Sequence, residues 1–252
     1  MSRILNIRLK IVVSLITLVM LMPFISLFLE ILNKDAWIFT FTSNKTYLAF
    51  LTTIIISIFT LLLNMIFGIP AAYVLSRKKF YGEKIINILI FLPLIIPPFV
   101  TSMGIYFTFI KLSLAETILG VVMVHTVQTL PYFIRSVVIG YDTLDETYEL
   151  VGKFMGANGW QRFTKITLPH IFPSLIAGSS LVIIVSFAQY LTTLIIGGGR
   201  IITIPILMFP YISGGDIKVG GVYSLSFIII NLVLIVSLES VVKKIYKENN
   251  KG

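Results

Sequence analysis

The chain has no cysteine, which excludes disulfide frameworks, thiolate metal sites and cysteine nucleophiles together. Charge is scarce as well. Only 12% of its 252 residues are charged, about half the share in an ordinary soluble domain. Two histidines and eleven acids, the acids mostly in loops, do not supply the clustered His, Asp or Glu that an integral membrane enzyme requires. There is no Gly-x-x-x-x-Gly-Lys-Ser/Thr phosphate loop. Gly152-Lys153 lacks both the upstream glycine and the following hydroxyl residue, so the chain is not expected to hydrolyse ATP or to bind a cofactor or metal. The N-terminal apolar stretch has no Ala-x-Ala cleavage signal behind it and is expected to remain as a membrane span.

Apolar residues dominate instead. They make up 57% of the chain, with a mean hydropathy of +0.98; a surface of that composition would aggregate in water, and the expected class is an all-α, multi-pass membrane protein. Spans need about 20 mostly apolar residues, and six are expected, at about 11–31, 48–75, 85–110, 117–139, 170–196 and 219–241, within one transmembrane domain covering 1–252. Arg135 is expected to mark the end of the fourth or to snorkel from it. The net charge of +9 is spread between apolar runs rather than gathered on one soluble face, which points away from nucleic acid and toward membrane orientation. Fifteen Lys and Arg fall on one side: Arg3, Arg8, Lys10, Arg77, Lys78, Lys79, Lys84, Arg135, Lys153, Arg162, Lys165, Lys243, Lys244, Lys247 and Lys251. Five fall on the other: Lys34, Lys45, Lys111, Arg200 and Lys218. The positive-inside rule therefore predicts both termini in the cytoplasm.

The sizeable internal connection, about 142–168, is the polar passage of an oily chain. Thr143-Leu144-Asp145-Glu146 has the form of a capping box. Leu144, Tyr148, Val151 and Met155 then recur as one stripe of an amphipathic helix. Gly156 stands where a left-handed C-terminal cap belongs. Asn158 and Gln161 can open a second short helix carrying Trp160, Phe163 and Ile166 on one side and Arg162 and Lys165 on another. Pro169 is expected to divide this segment from the fifth span. Periodicity leaves two readings open: helices lying on the inner leaflet, or a docking surface for a protein.

Polar residues inside spans are costly and are functional candidates by default. His125 and Gln128 are one turn apart in the fourth span, about 12–16 Å from its outer end. Ser179, Ser186 and Thr193 recur every seven residues in the fifth, with Gln189 beside Ser186. These can line a path or bond helix to helix. Asn64 and Asn231 stand alone and read as interhelical bonds. Pro93, Pro97 and Pro98 predict a kinked third span, with Pro97 and Pro98 the candidate hinge. No Asp or Glu lies deep in a span, which speaks against ion coupling through a buried carboxylate.

Gly156, followed after nine residues by Ile166-Thr167-Leu168-Pro169, resembles the signature loop of binding-protein-dependent ABC importer permeases, which reads Glu-Ala-Ala, three residues, Gly, nine residues, Ile-x-Leu-Pro. The stretch "FGIPAAYVLSRKKFYGEKIINILIFLPLIIPPFV" is similar to the family's second and third spans, and the likeness runs from about residue 48 onward. One slot departs: Leu150, Val151 and Gly152 stand for Glu-Ala-Ala, and Glu149 comes one residue early. The resemblance implies a type I permease fold with six helices and a coupling-helix loop. Glu149, Gly156, Trp160, Arg162, Phe163, Ile166, Leu168 and Pro169 would then form the ATPase-coupling surface, and His125, Gln128, Ser186, Gln189 and Thr193 the translocation path. It implies as partners a cytoplasmic ATPase dimer that uses ATP and Mg, a second permease subunit, an extracytoplasmic substrate-binding protein and the lipid bilayer. The Pro-rich third span and "GGGRIITIP" look most like permeases of the polyamine, thiamine, iron and sulfate or molybdate group. A secondary transporter or channel subunit is the alternative. It would call for buried ion ligands or inverted repeats with broken helices.

Overall fold

The computed structural model describes the backbone of residues 2–249 and the side chains of 10–240 apart from 24, 26 and 29. Lys251 of the orientation count therefore lies outside the described residues. The side chains of Arg3, Arg8, Lys243, Lys244 and Lys247 are likewise not described. Every regular element among the described residues is helical. In order these are α1 (Ser2–Glu30), α2 (Lys34–Thr42), α3 (Asn44–Arg77), α4 (Glu83–Ile95), α5 (Pro98–Lys111), α6 (Ile118–Asp142), α7 (Glu146–Phe154) and α8 (Gly159–Arg162). A π-helical turn (Phe163–Thr167) follows, then α9 (Leu168–Ala188), α10 (Leu191–Gly197), α11 (Ile204–Ser213) and α12 (Ile217–Asn249).

Four of these segments are long and apolar enough to cross a membrane: Asn44–Arg77, Ile118–Asp142, Gly159–Ala188 and Ile217–Ser240. The expected third span is not one helix. Pro97 and Pro98 do more than kink it, since α4 and α5 meet at 106°. Pro98 opens α5, and Ile96 is held extended (φ −79°, ψ 129°), the conformation that a following proline imposes. The first helix carries a shorter apolar stretch, Lys10–Pro23.

α6 is the axis of the bundle. It packs along α3 on one side and α9 on the other. The half of it nearer Asp142 joins them through Phe133, Ile134, Val137 and Tyr141, which bury against Leu61, Ala72, Ile171 and Leu175. Close approach needs small residues: a Cβ on Gly140 would meet the Ser174 side chain at 2.7 Å. The helix also runs on past Arg135 to Asp142, so that arginine stands two turns before the end of α6. Toward the other face, α2, α11 and the start of α12 gather around Ile31, Ala36, Val222 and Tyr223. The apolar segment after the triple glycine is α11, its first backbone N–H (Ile204) donating to Thr53 Oγ1 of α3 at 3.0 Å.

The fifth span differs from expectation at both ends. Pro169 does not separate it from the preceding loop. Helix continues from Gly159 through the π-helical turn to Ala188, a run of 30 residues. A proline lacks the N–H that α geometry would use, and a π turn accommodates one such gap without ending the helix. At the other end Gln189 leaves helical geometry (φ −73°, ψ 90°) and α10 starts afresh.

Candidate functional site

Two groups of residues stand out, one at each end of that 30-residue run. The first is the loop. Its first helix is capped by Asp145, not Thr143: the Asp145 carboxylate accepts from the Thr147 N–H at 2.8 Å, and Thr143 closes α6 instead. Hydrogen bonding from Thr147, by its side chain first and by this backbone N–H second, holds the Asp145 carboxyl below its ordinary pKa. Arg77, from the end of α3, braces the entry by donating to the Leu144 carbonyl and pairing with Glu146 at 3.5 Å. Leu144 is buried, so the stripe read from the sequence begins inside the fold. Its remaining members, Tyr148, Val151 and Met155, are exposed.

Gly156 adopts φ +83°, the left-handed turn that favours glycine. Asn158 and Gln161 then form a reciprocal capping box, with both bonds at 2.9 Å. The turn folds α7 and α8 against each other where Gly152 leaves room: a Cβ there would meet Ile166 Cδ1 at 2.7 Å. Ile166 and Arg162 thus face into the loop and are half-buried. Leu168 packs on the inner core, and Pro169 is half-buried behind it. What the loop presents outward is apolar. Phe154 is 87% exposed, Met155 82% and Trp160 73%, the last against Phe163 with ring centroids 6.0 Å apart. A cleft of about 400 Å³ lies behind Trp160, walled by Tyr73, Tyr141, Arg162 and Phe163.

Glu149 points inward. Its carboxylate accepts from the Thr167 hydroxyl at 2.6 Å, tying α7 to the start of α9. Sequence spacing gives no hint of this bond, because the partners lie 18 residues apart.

The second group is polar and buried. His125, Gln128, Ser186 and Thr193 are all within it and nearly inaccessible, and Gln189 is half-buried at its edge. His125 Nδ1 lies 3.0 Å from Ser186 Oγ and Nε2 3.0 Å from Thr193 Oγ1. The Thr193 hydroxyl donates to the Gln189 carbonyl at 2.6 Å, so it can only accept from His125. Nε2 then carries the proton and Nδ1 accepts from Ser186, which in turn accepts from Ser57 of α3 at 3.2 Å. Gln128 does likewise one turn on. Its Oε1 accepts from the Gln189 side chain and from Thr192, and its amide reaches Ser102 of α5 at 3.5 Å. Two residues of α6 therefore bridge the α9–α10 break, and Gln128 also touches α5. Ser57, Ser102 and Thr192 were not singled out by the sequence reading; a lone hydroxyl in an apolar run carries no periodic signal. Asn64 makes the interhelical bond expected of it, donating from α3 to Thr129 Oγ1 of α6 at 2.8 Å. Ser179 is buried in α9 away from this network.

Residues 64–248 match the family described as binding-protein-dependent transport system inner membrane component. The molybdate/tungstate transport system permease protein WtpB of Thermococcus kodakarensis is 33% identical over 120 residues, 48% of each chain. The aligned part of the chain thus spans about half the length of that relative. WtpB of Methanocaldococcus jannaschii is 27% identical over 235 residues, 86% of this chain and 92% of that protein. The sulfate transport system permease protein CysT of Escherichia coli is 24% identical over 198 residues, 73% and 71% of the two chains. A chain of the bacterial alginate ABC transporter, solved with an alginate pentasaccharide-bound periplasmic protein, shares the fold with a TM-score of 0.74 over 95% of both chains at 14% identity. With this match over most of its length, the chain belongs to the family of binding-protein-dependent transport system inner membrane components.

Proposed function

We propose that this chain is the membrane-spanning half of an ATP-driven importer, with the 142–168 loop as the surface on which a cytoplasmic ATPase dimer docks. The observation that carries the reading is the loop's outward face. Phe154, Met155 and Trp160 project from a scaffold that is itself capped, braced and bonded to the bundle. Burying each such side chain contributes roughly 1.5–3 kcal/mol, enough for three to anchor a partner. Both termini and this loop lie in the cytoplasm in this reading, which the charge count supports.

The ATPase burns ATP with Mg, and this chain binds neither. Closure of the ATPase pair moves α8, and the unbroken helix from Gly159 to Ala188 carries that movement to the buried polar cluster. A second permease subunit supplies the other half of the path, and an extracytoplasmic binding protein delivers the solute. The names of the relatives favour an inorganic oxyanion as that solute. The α4–α5 elbow at Pro97–Pro98 and the α9–α10 break both abut the cluster through Ser102 and Gln189. They are the joints about which the path opens in a rigid-body switch.

Co-purification tests the docking. The tagged chain, expressed with its binding protein and ATPase, is expected to retain the ATPase in detergent. A Phe154→Ser, Trp160→Ser double variant should lose it while remaining monodisperse. Retention of the ATPase by that variant would remove the loop from the interface.

A further inference from the structure

α6 carries a polar stripe that the buried cluster does not exhaust. His125, Gln128, Tyr132 and Arg135 are spaced three, four and three residues apart, which sets them on one face. Accessibility rises along it: His125 1%, Gln128 5%, Tyr132 38%, and Arg135 exposed. The stripe starts where the two broken helices meet Gln128 and descends toward the loop.

Arg135 lies about 10 Å from the end of α6, at 1.5 Å per residue. Inside a span a guanidinium is expensive unless water, an anion or a partner charge meets it. No hydrogen bond or ion pair engages it among the described residues. Three carboxylates at this end of the bundle are engaged elsewhere: Asp142 accepts from Ser76, Glu146 pairs with Arg77, and Glu149 accepts from Thr167. Exposed faces elsewhere on the chain are built otherwise. Leu62, Ile66 and Phe67 of α3, for example, are exposed and wholly apolar.

We infer that the stripe Gln128–Tyr132–Arg135 walls the inner half of the translocation path, and that Arg135 is the group that attracts and contacts a transported oxyanion on its way to the cytoplasm. This rests on the importer reading above. Gln128 and Tyr132 offer neutral hydrogen-bonding groups, and Arg135 the planar donor fork suited to a tetrahedral oxyanion. Because the cation is unpaired, it draws an anion without first breaking an ion pair.

This chain has no cysteine, so a cysteine introduced into it is its single reactive thiol. Tyr132→Cys, and Ile66→Cys as the lipid-facing reference, are placed singly in the complete complex with ATPase and binding protein, in proteoliposomes. Anionic and cationic membrane-impermeant thiol reagents are applied from the ATPase side during turnover, each rate normalised to a free thiol. Tyr132→Cys should be modified and Ile66→Cys should not. The anionic reagent should be favoured about tenfold, a preference lost on adding Arg135→Gln. Molybdate or sulfate uptake below saturation should fall about tenfold with Arg135→Gln and recover with Arg135→Lys, the amount of bound ATPase staying constant. Tyr132→Cys resisting both reagents in a complex that still transports would place the stripe against lipid and overturn the inference alone. Equal rates for the two reagents with Arg135 present would overturn the role of its charge. Failure of the unmodified chain to retain an ATPase would remove the importer reading, and this inference with it.

Discussion

Removing the Thr167 hydroxyl tests how α7 is held. Thr167 is buried and donates to the half-buried Glu149 carboxylate at 2.6 Å. A hydrogen bond to a charged group contributes about 1.5–3 kcal/mol when buried, and partial exposure of Glu149 brings this to about 1–2 kcal/mol. Thr167→Val keeps the shape and deletes the donor. If the bond positions α7 for docking, ATPase affinity for the chain in nanodiscs should fall between about fivefold and thirtyfold, since ~1.4 kcal/mol is tenfold. Glu149→Ala should cost about the same, and the double variant little more, because both remove one bond. Glu149→Gln, whose amide oxygen still accepts, should cost less than either. The alternative is that Glu149 meets a cation on the ATPase directly. Thr167→Val would then be silent and Glu149→Gln severe, and the two losses would add. That pattern would refute the inward role assigned here.

Gly156→Ala puts a side chain at φ +83°, costing about 1–2 kcal/mol. It should lower ATPase affinity, read by titration in detergent, and lower the thermal midpoint of the isolated chain by a few degrees at most. Gly140→Val, whose Cβ meets Ser174 at 2.7 Å, should destabilise the α6–α9 contact by about 1–3 kcal/mol and lower that midpoint. The Asp145 carboxyl has its pKa depressed by hydrogen bonding from Thr147. Its contribution is therefore fully present above the ordinary carboxylate pKa and is lost as pH falls through the lowered value. Docking measured by titration should be level from pH 8 to 5 as far as this cap is concerned, and Asp145→Asn should abolish whatever acid-side loss the cap produces.

How far the sequence could be read depended on the range of the interactions. Gly156 and the Asn158–Gln161 box involve neighbours within three residues, and the two-helix loop was legible because such turns are locally determined. The helical membrane class followed from composition alone. Thr143 was mistaken for the cap because Asp145 competes two residues later with a better acceptor, and only the end of α6 decides between them. The Pro97–Pro98 break was visible, but its angle is set by what α5 packs on. The break after Ala188 has no proline or glycine to announce it. It is bridged from α6 by His125 and Gln128 across more than 60 residues, a distance over which no periodicity speaks. Pro169 misled in the opposite direction, since the π-helical turn absorbs it.

The central claim is that this chain moves a solute at the expense of ATP hydrolysed by a partner. Uptake of labelled molybdate and of labelled sulfate by proteoliposomes holding the chain, its ATPase and its binding protein tests it most directly. One of the two oxyanions should accumulate against its gradient. That accumulation should require all three components and ATP, and the Phe154→Ser, Trp160→Ser variant should abolish it. Uptake that proceeds equally without the ATPase, or that follows an imposed ion gradient, would contradict the account and make the chain a secondary transporter or channel.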